Sequence, residues 1–328
     1  MVSRALTALA VLCVSRFATA DPNDLVMSRL ATRIVGSTGQ VDRVVAENLE
    51  LRALASQLGV VLAPHLMTPA DTLGFAGFEL DVSASQTTID SKQPYWRVLA
   101  GSLDPSGTNR VAHGDSVLRT VGVFAHKGLW FPAPSFELGA GAVHLVDSTT
   151  WAAQAYAKLA IHEGYHDLAI PSIAIRAAVS RMMNQRELDL TIGSLDVTLS
   201  KHFAIAGTWR LDPFAGWDLL VIVPRSELID ATPNVDPLHP GDEMDAANNF
   251  VFPDQSVIYR HRILVGAKLQ YYVVQLTVEA QLALAGSSVD GRAASSEPCQ
   301  PSSTTASCKA KDTAGAQTTL SVSAGFNF

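Results

Sequence analysis

The stretch IHEGYHD, residues 161–167, holds the spacing H-E-x-x-H in His162, Glu163 and His166. On a helix that spacing stacks two imidazoles one turn apart over a zinc ion and sets the glutamate beside the metal-bound water, the chemistry of a metal-dependent peptidase. The chemistry requires the helix, and the residues before it spell something else. Trp151, Ala153, Ala155, Ala157, Leu159 and Ile161 fall on one parity; Gln154, Tyr156, Lys158 and His162 fall on the other. A period of two belongs to a strand. Within a helix Gly164 would cost about 1 kcal/mol relative to alanine, Pro171 would end it, and no third ligand stands out downstream. His162 is therefore placed at the end of a strand and His166 in the turn after it, where the two imidazoles do not share a face. No metal site is expected. His126 and His144 stand singly on strand-like segments, and His113, His239 and His261 have no supporting partners. With no Ser/His or Asp/His set in view, the chain is not read as an enzyme and no cofactor is implied.

The elements that carry these residues alternate along most of the chain. Phe78, Leu80, Val82 and Ala84 interleave with Glu79, Asp81, Ser83 and Ser85; Val274 to Leu284 and Ile173 to Val179 repeat the pattern. The spacing predicts ten strands, at about 74–85, 118–131, 135–147, 151–163, 171–182, 187–200, 204–223, 254–269, 271–285 and 316–328. Twelve would result if Pro213 split the seventh or if 86–117 hid a pair. The strands are long enough for a tilted crossing of a hydrocarbon layer. Short connections at 132–135, 166–170, 201–203 and 269–272 take turns with long polar ones at 86–117, 224–250 and 286–315. Alternating strands, short turns on one side and long loops on the other predict an all-β fold, a transmembrane antiparallel up-and-down β-barrel. No run of 18 apolar residues offers a spanning helix instead. A net charge of −7 without a basic block excludes nucleic acid as a partner.

The two ends agree with export. Residues 1–20 read as a signal peptide: Arg4, an apolar core from Ala5 to Val14, and Ala18-Thr19-Ala20 as the cleavage site. In an oxidising compartment Cys299 and Cys308, eight residues apart in a turn-rich loop, are expected to form a disulfide that removes roughly 2–3 kcal/mol of freedom from the unfolded loop. The last strand carries Leu320, Val322, Ala324, Phe326 and the terminal Phe328 on one parity. It resembles the C-terminal assembly signal of bacterial outer-membrane β-barrel proteins. The resemblance implies an outer-membrane location in a Gram-negative envelope, with outer-membrane lipid and, through this strand, the assembly machinery as partners. Both termini would be periplasmic and the barrel would occupy residues 73–328.

Residues 21–72 follow a different pattern. Ser37 and Gln40 suggest a capping box, and Val44, Asn48, Leu51, Ala55 and Leu58 recur at helical spacing up to Gly59, a helix stop. A shorter helix over Leu25–Val35 would precede it. The segment is expected to be a helical periplasmic extension or, alternatively, a plug, although the lumen of a ten-stranded barrel is narrow for one. If the apolar parity faces lipid, the lumen receives Glu79, Asp81, Lys158, Arg176, Asp196, Arg210, Asp212, Asp218, Arg260, Arg262, Lys268 and Glu279. These would form either a rigid ionic network or the lining of a selective path. Trp130, Trp151, Tyr156, Tyr259, Tyr271 and Tyr272 are expected at the membrane interfaces. Passage of small solutes, of unspecified identity, is the first functional expectation. A non-conducting barrel that displays its long loops for binding or envelope integrity is the alternative.

Overall fold

The computed structural model describes residues 21–37, 41–65, 67–102, 116–131, 135–164, 170–230, 249–290 and 310–328. A 3-10 turn (Met27–Leu30) leads into a hairpin of β1 (Ala31–Val35) and β2 (Val41–Ala46), followed by an α-helix, Asn48–Val61. Then come β3 (Phe78–Thr88), β4 (Val117–Leu129), β5 (Phe136–Leu145), β6 (Trp151–His162), β7 (Ser172–Met183) and β8 (Leu188–Ser200). A short β9 (Phe203–Ile205) precedes β10 (Trp209–Ser226). Two-residue strands β11 (Ile229–Asp230) and β12 (Asn249–Phe250) pair ahead of β13 (Ile258–Tyr271) and β14 (Val274–Ala283). A second such pair, β15 (Val289–Asp290) and β16 (Ala310–Lys311), precedes β17 (Gln317–Asn327).

Ten of these, β3 to β8, β10, β13, β14 and β17, pair antiparallel in sequence order, and β17 pairs with β3 to close the ring. This is the ten-stranded up-and-down barrel that the alternation predicts. Pro213 does not split a strand. It sits where the β8–β10 ladder, which begins at Phe214, gives way to the β9–β10 ladder, which ends at Leu211. A residue without an N–H is tolerated at such a break. The turn between β9 and β10 uses left-handed backbone at Ala206 (φ 52°) and Gly207 (φ 72°).

The ring has two distinct ends. Described residues 130–131, 135, 163–164, 170–171, 201–208 and 272–273 gather at one, together with Phe78 and Phe328, whose backbones exchange two hydrogen bonds at 3.0 and 2.8 Å. Described residues 89–102, 116, 227–230, 249–257, 284–290 and 310–316 gather at the other, beside two tight turns at 146–150 and 184–187. The amino-terminal segment is docked at this long-loop end. Asn23 donates to Asp147 O (2.9 Å) and Val146 O (2.8 Å), Val26 to Val98 O (2.8 Å), and Met27 N to Glu187 Oε2 (2.8 Å). Residue 21 and residue 328 lie at opposite ends of the barrel, whereas the sequence places the two termini on one side. The reason is that residues 47–65 and 67–77 run through the ring before β3 begins.

Two further expectations change. The helix starts at Asn48, not near Ser37, because residues 41–46 pair with 31–35, where the β-branched Ile34, Val35, Val41, Val44 and Val45 favour extended backbone. The helix over Leu25–Val35 is replaced by the 3-10 turn and β1. Gly59 lies inside the helix instead of ending it; a Cβ there would come within 2.6 Å of Ile222 Cδ1 on β10. The glycine lets the helix approach the wall closely. Leu51, Leu54, Leu58 and Val61 pack against Leu190, Ile192, Leu220, Tyr95 and Trp96, all buried, so an apolar core fills the long-loop end of the lumen.

Candidate functional site

Below that core the lumen is charged, and strand register organises the charges. Glu137, Lys158, Arg176, Asp196, Asp218 and Arg262 are direct cross-strand partners in one row over six strands. Three acids and three bases stand in the order that lets neighbours pair. Glu137 meets Lys158 at 3.0 Å, Asp196 meets Arg176 at 2.8 Å, and Asp218 meets Arg262 Nε at 2.6 Å. Toward the short turns, Lys268 binds Glu79 at 2.7 Å, while Arg210 and His202 hold Asp212 at 2.6 and 2.8 Å. Glu279 is buried and accepts a hydrogen bond from Gln281. Arg260 belongs elsewhere: it donates to Ser56 Oγ (2.8 Å), Leu284 O (2.8 Å) and Gly315 O (3.0 Å) beside the helix. Buried charges stay ionised only when paired and hydrogen-bonded, and the register supplies those partners.

A second chain of contacts runs from Asp81 to His126 (2.5 Å), His126 to Tyr156 (2.6 Å) and Tyr156 to Glu137 (2.5 Å). The tyrosine donates to the carboxylate, and both imidazole nitrogens are engaged, Nε2 with Asp81 and Nδ1 with the tyrosine oxygen. The ring is 3% exposed. Donor atoms of Glu79, Asp81 and His126 lie within 4.8 Å of one another, a spacing that admits a cation. The ammonium of Lys268 already supplies that cation to Glu79, and both nitrogens of His126 have side-chain partners.

The lumen also holds the chain's own residues 62–65 and 67–73, which bond to the wall at successive levels. Leu62 O accepts from Gln154 (3.1 Å) and Ser180 (2.7 Å), Pro64 O from Arg262 (3.1 Å), and Thr68 Oγ1 from Arg176 (3.0 Å). Lys158 donates to Pro69 O (3.2 Å) and Asp71 O (2.9 Å), and Leu73 N donates to Glu137 Oε2 (3.0 Å). The charged row therefore binds the lumen segment as well as itself. A polar cavity of about 130 Å³, lined by Asp71, Arg210, Asp212, Lys268 and Asn327, lies where the segment reaches the short-turn end.

Glu163, the acid of the H-E-x-x-H motif, has a mechanical role here. Its carboxylate accepts from Thr72 N (3.0 Å), Thr72 Oγ1 (2.5 Å) and Ser135 Oγ (3.0 Å), clamping the segment to the rim. His162 is the last residue of β6. His166, Cys299 and Cys308 lie outside the described residues. Tyr156, expected at an interface, is 4% exposed and faces the lumen, as the parity of Gln154 and Lys158 would have indicated. Parity would also have assigned Glu137 and His126 inward, opposite Leu138 and Ala125. The sequence offers no signal for Glu163.

The outer surface reverses the inner one. Leu80, Val82, Val123, Leu195, Val265 and Leu276 are exposed on the wall, and Leu320, Val322, Ala324, Phe326 and Phe328 all point outward. Trp130, Trp209, Tyr271 and Tyr272 are exposed near the short-turn rim. A closed sheet that is apolar outside and charged inside has hydrocarbon as its outer solvent. The fold is that of an outer-membrane β-barrel. No family model matches the chain, and no curated protein does. Among solved structures, the barrel is similar to Ail, the attachment invasion locus protein of Yersinia pestis. The likeness has 8% identity and a TM-score of 0.27, and covers 77% of this chain and 99% of that one. The barrel assignment rests on strand pairing, not on that likeness.

Proposed function

We propose that this chain is a non-conducting barrel of the bacterial outer membrane whose activity lies in the surface built at its long-loop end. One observation carries the reading: residues 51–65 and 67–72 occupy the lumen and bond to its wall from Leu62 to Thr72. Passage of small solutes would require that segment to leave. Its departure would strip partners from Lys158 and Glu163 and expose the apolar helix face, each at a cost. Up-and-down barrels of this membrane keep their short turns periplasmic, which puts the long loops and the docked amino-terminal segment outside. Binding to a partner or maintenance of the envelope is the role that fits such a surface. The reading is not enzymatic: the Asp81–His126 pair is buried on the lumen side of the wall beside Tyr156. Outer-membrane lipid contacts the apolar band, and the strand ending at Phe328 is proposed to engage the assembly machinery.

The test is conductance in a planar bilayer, using refolded protein that shows heat-dependent gel mobility. A silent, heat-modifiable barrel is expected. Reproducible ohmic steps of uniform size would restore the solute-passage reading.

A further inference from the structure

We propose that the barrel carries its own amino-terminal segment across the membrane, displaying residues 21–46 on the same surface as the long loops. The proposal rests on the orientation given above and adds a direction of travel to it.

The path is continuous. At the long-loop end Asn23 is tied to the 146–150 turn, Leu25 bridges to Leu99, and Met27 N binds Glu187 in the 184–187 turn. From Asn48 the helix descends, its Arg52 donating to Ser256 O (2.9 Å) and its Ser56 to Asp312 Oδ2 (2.7 Å) in the long-loop region. Residues 62–72 then pass the charged row and reach Glu163 at the short-turn end. Leu73 to Gly77 turn the chain into β3, which climbs back in the wall. The lumen segment and β3 are thus the two limbs of one hairpin, the first inside the ring and the second part of it.

This arrangement constrains assembly. The docked piece comprises a 3-10 turn, a hairpin and the buried Leu25, Met27 and Leu30. It cannot be drawn afterwards through a lumen already packed with the helix and with Trp96. The segment must be in place when β17 pairs with β3 and the ring closes. A chain exported from the inner side would therefore move its amino-terminal residues outward together with the carboxyl end of β3. The same route accommodates a short sequence joined ahead of the docked piece, so a tag placed there should also emerge.

Single cysteines in a Cys299→Ser/Cys308→Ser background, treated on intact cells with a membrane-impermeant maleimide, test the proposal. Arg33→Cys reports β1, Lys92→Cys the loop after β3, and Thr208→Cys the turn before β10; all three positions are exposed. Each variant is first checked for heat-modifiable mobility, and Val35→Cys replaces Arg33→Cys if that variant does not fold. Positions 33 and 92 should label on intact cells, and position 208 only after permeabilisation. If 92 labels and 33 behaves like 208, the through-lumen path is overturned while the orientation stands. If 208 labels and both 33 and 92 do not, the orientation is overturned, and display with it. An epitope inserted between Asp21 and Pro22 should bind antibody on intact cells; silence there with 92 labelled also counts against display.

Discussion

Glu163 and Arg176 tie the lumen segment to the wall, and each can be tested singly. Glu163→Ala removes the acceptor of Thr72 N, Thr72 Oγ1 and Ser135 Oγ. It should destabilise the barrel by about 1–3 kcal/mol, the cost of leaving buried donors unmet, read as a lower temperature of heat modification. His162→Ala should change that temperature little, and loss of a bound zinc on making it would refute the strand-end reading of the motif. Arg176→Leu leaves Asp196 buried and unpaired and should cost about 3–5 kcal/mol, while Arg176→Leu/Asp196→Leu should recover most of it. Glu187, in the tight turn that holds Met27, has its carboxyl pushed above the usual carboxylate range by burial and further by nearby Asp230; the Met27 N–H opposes the shift. A raised folded-state pKa means that the docked state binds the proton more tightly. Docking should therefore strengthen as pH falls through that raised value toward the ordinary carboxyl range, and weaken above it. Hydrogen exchange at Met27, corrected for its intrinsic rate, should follow this trend in the native protein and lose it in Glu187→Gln.

At the scale of elements, the ten barrel strands were legible because one face of each meets hydrocarbon. Alternation then persists for the whole crossing, as in Phe78–Thr88 and Val274–Ala283. The amino-terminal elements were legible only in part. The spacing of Asn48, Leu51, Ala55 and Leu58 marked a helix correctly, yet Val44 also fitted it, and nothing local told the β2 residues from a first helical turn. Gly59 was misleading for a physical reason. A glycine that ends a helix and one that lets a helix press against a wall look alike until the wall is known. Gly59→Leu should therefore destabilise by about 1–3 kcal/mol through overpacking against Ile222. Ile222→Ala in the same chain should relieve much of that cost, a coupling that a double-mutant cycle would measure.

The whole molecule is a closed ring with its own chain as the occupant, and its properties follow from that. The six-residue charged row is neutral as a set, so it needs no ion from solution to balance it, and it serves as the docking rail for residues 62–73. High salt should accordingly have a small effect on heat modification, since buried pairs are screened far less than exposed ones; a large drop at high ionic strength would mean that water reaches the row. The sequence by itself determined the facing of the strands, the charged interior and the apolar exterior, because each depends on parity along a single strand; it left ten strands or twelve open. It also marked the terminal strand. Only the tertiary structure decided which charges meet, since Glu137 and Arg262 share a row through register summed over six strands. Only it decided that the lumen is filled, and from which end. A segment's route through a ring leaves no periodic trace in sequence; it is fixed by contacts such as Asn23 with Asp147 and Thr72 with Glu163, whose partners lie about 90 to 120 residues apart.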